Sequence, residues 1–170
     1  NPLNVYGRSK FEGEEAVRNA SDEHVIVRVS WLYSDRGRNF LSSMIQKATD
    51  SQAGKDEPLR VVKDQYSSPT WTKDVARQTV EILRHDLTGT IHAVARGACS
   101  RYEMVRLVFD ELDAAIPVEP CRAAEFSQVA QRPAYSALAN TRLQETGIDV
   151  MRPWDVALRD FLNRAGARMR

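Results

Sequence analysis

Short β-branched runs alternate with longer segments whose apolar residues recur at helical spacing, and this alternation is what most narrows the folds open to the chain. Val5 to Asn19 reads as a helix, with Phe11 and Val17 set among Glu12, Glu14, Glu15 and Arg18, and His24 to Val29 follows as a strand. Asn39 caps an expected helix from Phe40 to about Asp50, and Leu59 to Val62 reads as a second strand. Asp64 to Thr70 is rich in turn residues, and a helix starting near Thr72 or Asp74 carries Val75, Ala76, Thr79, Val80 and Leu83. Gly89 to Ala95 is a glycine-bounded strand, and Ser100 with Glu103 has capping-box spacing ahead of a helix to about Leu112. Ile116 to Pro120 reads as extended. A short helix over Thr141 to Glu145 closes on Gly147, and Pro153 opens the last helix. The fold class expected is therefore α/β.

Composition removes several functions. In 170 residues, Lys+Arg 24 against Asp+Glu 23 gives a net charge of +1, so no bulk field draws the chain to a phosphate backbone or an anionic membrane. Neither nucleic acid nor membrane is an expected partner. The only cysteines, Cys99 and Cys121, have no paired spacing, which points away from a disulfide framework and toward a cytoplasmic setting. His24, His85 and His92 lack an i,i+4 ligand partner, so no metal residues are assigned. No serine-hydrolase elbow and no P-loop can be written.

Tyr6 and Lys10 lie four residues apart on the first helix, so their side chains share a face one turn from each other. A phenol ordinarily loses its proton too reluctantly for work at neutral pH, and a neighbouring ammonium favours the phenolate. The two form a coherent proton-transfer pair. The spacing alone equally fits two unrelated solvent-facing residues.

The surrounding words carry more. Asn4-Val5-Tyr6-Gly7-Arg8-Ser9-Lys10-Phe11-Glu12-Gly13-Glu14 resembles the active-site helix of the extended short-chain dehydrogenases/reductases. The likeness runs on through Val27 to Tyr33, Gly37 to Phe40, Val61 to Gln65 with Pro69-Thr70, Arg132 to Ser136, and Pro153-Trp154 with Ala157-Leu158. In that order the motifs are similar to those of the dTDP-4-dehydrorhamnose reductase family. The resemblance implies transfer of hydride from NADPH or NADH to the C4 ketone of dTDP-4-dehydro-L-rhamnose. Tyr6 would donate the proton, and Lys10 would hold the nicotinamide ribose, so that both are catalytic and cofactor-binding. Trp31 matches a tryptophan lying against the sugar and also reads as a core aromatic at a strand end. Arg132 matches an arginine near the diphosphate and also reads as a surface ion-pair member. Asn39 and Gln65 match positions near the sugar nucleotide and also read as cap and turn residues.

One departure shapes these expectations. The glycines, at 7, 13, 37, 54, 89, 97, 147 and 166, form no G-x-G-x-x-G phosphate loop. The resemblance thus implies the C-terminal part of an NAD(P)-binding Rossmann-like extended fold with the small substrate-binding lobe. The cofactor would then be held mainly by an amino-terminal portion. Residues 1–62 are expected to carry residual Rossmann elements and the Tyr-x-x-x-Lys helix, and 63–170 mostly the sugar-nucleotide lobe with interleaved Rossmann elements. The alternative is a non-catalytic sugar-nucleotide-binding or regulatory module. The family also allows Mg2+, whose ligands cannot be mapped here, and a homodimer. The first helix is expected to be loosely held, and the isolated chain to self-associate through uncovered sheet edges.

Overall fold

The computed structural model describes residues 2–51, 57–126 and 132–168. Helix α1, Val5–Ala20, begins where Asn4 Oδ1 accepts the Gly7 amide at 2.8 Å, and none of its residues is buried. Polar contacts hold it. Glu14 accepts from Arg28 Nε and Nη2 at 2.7 and 2.6 Å, and Arg18 donates to Glu14 and to Thr90 Oγ1 at 2.9 and 3.0 Å. These contacts seat the helix on strand β1, Val25–Arg28, and strand β6, Gly89–His92, which pair in parallel with Val25 opposite Gly89.

Between them the chain forms β2, Leu32–Tyr33; α2, Phe40–Thr49; β3, Leu59–Val62; β4, Tyr66–Ser67; β5, Thr70–Trp71; and α3, Thr72–Arg84. After β6 come β7, Cys99–Ser100; α4, Arg101–Glu111; β8, Val118–Cys121; a 3-10 turn, Ala123–Glu125; α5, Thr141–Glu145; and α6, Trp154–Arg168. Among the described residues β2 pairs with β5 and β3 with β8, both in parallel, while β4 and β7 run antiparallel. Parallel pairing with helical crossovers is the α/β arrangement expected from the alternating pattern.

Two differences from the sequence reading have physical causes. The turn-rich stretch 64–70 contains two short strands, because its backbone partners come from far away. Tyr66 pairs with Ser100, its N–H donates to Ala134 O at 2.8 Å, and Thr70 N–H donates to Trp31 O at 3.1 Å. The strand read as Gly89 to Ala95 pairs as a ladder only to His92, yet residues 93–95 stay buried. There the Asn140 amide replaces a neighbouring strand: its Oδ1 accepts the Val94 N–H at 3.0 Å and its Nδ2 donates to Val94 O at 2.8 Å. The Ala95 N–H is taken by Thr70 Oγ1 at 3.0 Å.

Two hydrophobic cores result. One gathers Tyr33, Leu41, Ile45, Val61, Trp71, Met104, Val105, Val108, Phe109, Leu158 and Phe161 between α2, α4, α6 and the β3–β8 pair. Tyr33 and Trp71 meet Phe161 edge-on, with centroids 5.2 and 5.5 Å away. The other gathers Ile82, Ile91, Ala93, Leu143, Ile148 and Met151 beneath the β1–β6 pair. The fully buried Gln78 ties α3 to that core by donating to Ile148 O at 3.0 Å and accepting Val150 N–H at 2.9 Å. A buried carboxylate, Asp74, receives Arg152 Nε and Nη2, each at 3.0 Å, which satisfies a charge that would be costly unpaired.

Candidate active site and aromatic shelf

Asn4 caps α1 so that Tyr6 falls in the first turn and Lys10 one turn on. Lys10 Nζ lies 5.5 Å from the Tyr6 ring centroid, and the phenol is 70% exposed. The two heads are therefore together and open to an incoming group. That arrangement can deliver a proton to an oxygen atom placed beside the phenol.

A second cluster lies beyond the end of β1. Trp31 has φ 41°, a left-handed backbone that costs a bulky residue about 1–2 kcal/mol and persists where the surroundings over-determine it. Its carbonyl accepts from Thr70, and its ring sits 6.1 Å from Phe40, tilted by 38°. Above both rings lies Arg101, the first residue of α4, with its guanidinium carbon 5.7 Å from Trp31 and 5.4 Å from Phe40. Burial pushes the Arg101 guanidinium down from its ordinary value, and the charge of Arg132 adds to the shift.

Arg132 belongs to a segment whose backbone pairs with the strand beside this cluster. Ala134 O accepts the Tyr66 N–H, and Tyr66 O accepts the Ser136 N–H at 2.9 Å. The Tyr66 and Tyr135 rings stack 6.4 Å apart. Underneath, Ser30 Oγ lies 2.6 Å from Ser67 Oγ and donates to Ser136 O at 3.1 Å.

Of the residues singled out from sequence, Trp31 touches Arg101, and Arg132 acts on Arg101 through its charge. Gln65, half-buried, adjoins Tyr66 and makes no hydrogen bond among the described residues. Asn39 adjoins Phe40 and is the α2 cap, with Oδ1 accepting Ser42 N–H at 2.9 Å and Nδ2 donating to Ser34 O at 3.2 Å. Tyr6 and Lys10 form a separate group, linked to the shelf through α1, its Glu14–Arg28 clamp and β1. Arg101 was missed because Ser100 and Glu103 explained that stretch fully as a capping box, which the structure bears out. A fork-shaped cation next to a cap was the available signal. Among the described residues no group of three or more His, Cys, Asp or Glu side chains gathers as a metal site, and no helix is long and apolar enough to cross a membrane.

Parallel strands, crossover helices and a Tyr-x-x-x-Lys helix define the class as a Rossmann-like extended short-chain dehydrogenase/reductase fold, seen over its substrate-binding part. The family model described as the RmlD substrate binding domain matches residues 1–167, and the chain belongs to that family. It is 36% identical over 161 residues to the spore coat polysaccharide biosynthesis protein SpsK of Bacillus subtilis, covering 95% of this chain and 54% of that protein. A dTDP-4-dehydrorhamnose reductase from Clostridium acetobutylicum superimposes with TM-score 0.90 at 36% identity, covering 98% of this chain and 57% of the other. The Bacillus anthracis dTDP-4-dehydrorhamnose reductase solved in complex with NADP gives TM-score 0.88 at 33% identity, over 96% and 57% of the two chains. The chain thus spans about half the length of the curated relatives it matches.

Proposed function

We propose that this chain is the substrate-binding portion of an NAD(P)H-dependent reductase that converts the C4 ketone of dTDP-4-dehydro-L-rhamnose to the alcohol of dTDP-L-rhamnose. The observation that carries the reading is the Tyr6–Lys10 pair, set together and open on α1, in a chain of the RmlD substrate-binding family. Bound NAD(P)H would supply the hydride to the ketone carbon. Tyr6 would give its phenolic proton to the ketone oxygen, which becomes the hydroxyl, and the Lys10 ammonium would steady the phenolate left behind and hold the nicotinamide ribose. Tyr6 and Lys10, together on one face of α1, would meet the nicotinamide end of the cofactor. The rest would be held by residues outside this chain.

On this reading the dTDP-sugar lies on the Trp31–Phe40 shelf with Arg132 toward its diphosphate, while Asn39 and Gln65 line the approach. Two free cysteines fit a cytoplasmic setting. The test is turnover in the full-length protein that carries this chain. Tyr6→Phe should lower ketone-dependent NADPH oxidation by about a hundredfold or more. Unchanged turnover rejects the catalytic assignment, and dTDP-sugar binding without any NADPH oxidation by the unaltered protein identifies a binding module instead.

A further inference from the structure

Nine guanidinium groups among the described residues hold a carboxylate. Arg28 grips Glu14, Arg152 bridges Asp74 and Asp160, Arg159 joins Glu111 to Asp155, and Arg164 reaches Asp160. Arg101 and Arg132 are among those that do not. Neither makes an ion pair or a hydrogen bond among the described residues, and the charge of Arg132 is felt at Arg101. The backbone shows how. Tyr66 pairs on one side with Ser100, whose next residue is Arg101, and bridges on the other to Tyr135, three residues past Arg132. The carboxylate closest in sequence, Glu103, is committed to the Ser100 amide and hydroxyl at 2.7 and 2.9 Å. A half-buried cation facing a like charge is disfavoured unless something negative sits between them. Trp31 and Phe40 hold the Arg101 plane in place from beneath, so the fork is pre-set rather than swinging in solvent.

We propose that Arg101 is a second anion-binding residue, which with Arg132 forms a two-guanidinium clamp for the diphosphate of a nucleoside-diphosphate sugar. Two planar forks match the paired non-bridging oxygens of a diphosphate, and an anion held there places an attached sugar within reach of the Trp31 indole. The name of the ligand rests on the nucleotide-sugar reading above, whereas the clamp rests on Arg101 held over the two rings and on the backbone pairing that sets the Arg132 segment beside it.

The test is calorimetric titration of the full-length protein that carries this chain with dTDP, thymidine and inorganic pyrophosphate, for the unaltered protein, Arg101→Met and Arg101→Lys. Methionine keeps an unbranched apolar stem over Trp31, and a thermal melt establishes that each variant folds. Arg101→Met should weaken dTDP by about tenfold to a hundredfold, leave thymidine unchanged and flatten the salt dependence. Arg101→Lys should fall between, because the charge survives without the fork. A dTDP affinity within about twofold of the unaltered protein, or an equal loss for thymidine, overturns the role of Arg101 and leaves the nucleotide-sugar reading standing. Arg101-dependent binding of pyrophosphate with no preference for dTDP upholds the clamp and rejects that reading. Binding of neither anion by the unaltered protein rejects the clamp.

Discussion

At the residue scale, Trp31 decides most. Its left-handed backbone is strained for any side chain with a Cβ, while its ring contributes the contacts to Phe40 and Arg101. Trp31→Ala loses the contacts and keeps the strain, whereas Trp31→Gly loses the contacts and removes the strain. The glycine variant should therefore be the more stable of the two by about 1 kcal/mol, the reverse of the usual order, when both are unfolded in urea. Both should bind dTDP-sugar more weakly than the unaltered protein. Sequence showed Trp31 as a motif residue at a strand end, but its carbonyl is held by the Thr70 amide, 39 residues further along the chain. Arg101 was hidden for the same reason: its neighbours Trp31 and Phe40 stand 70 and 61 residues away in sequence. Asn39 was legible as a cap because capping is local.

Among the elements, α1 is the most conditional. It buries no side chain, and its tie to the sheet runs through Glu14, Arg18, Arg28 and Thr90. The Arg28 hydrogen bonds, outweighing the cost of burial, hold the Glu14 carboxyl below the usual glutamate value of about 4.5. A carboxyl with a depressed folded-state pKa binds its proton more tightly once released. Its contribution is therefore present above about pH 4.5 and fades as pH falls through the folded-state value. Amide exchange in α1 should accelerate on acidification before that in α3 or α4, and Glu14→Gln should make α1 exchange fast already at neutral pH. Exchange that rises uniformly across the molecule would refute this picture. The long helices were readable because amphipathic spacing and caps are written within a dozen residues. The short strands β2, β4 and β5 were not, because two-residue pairings take their identity from partners elsewhere.

Across the whole molecule, two cores are joined through a polar middle, and several apolar side chains stay open to solvent. Leu3, Val5 and Phe11 are each at least half exposed on and before α1, and among the described residues β1 and β6 pair only with each other. Parallel strands are ordinarily covered on both faces and flanked by further strands. We expect the isolated chain to sediment as concentration-dependent oligomers, and Phe11→Glu to shift that distribution toward monomer. A monodisperse monomer at high concentration, unfolding in one cooperative step, would contradict it. The polar middle has a direction of its own. Ser30 has one hydroxyl hydrogen, and donating it to the Ser136 carbonyl obliges Ser67 to donate to Ser30 in turn. Three remote stretches of chain are thus latched by a one-way relay of two protons. Ser30→Ala would unlatch the arginine-bearing strap from the floor beneath it, so a fault at a buried hydroxyl would surface as a misplaced guanidinium.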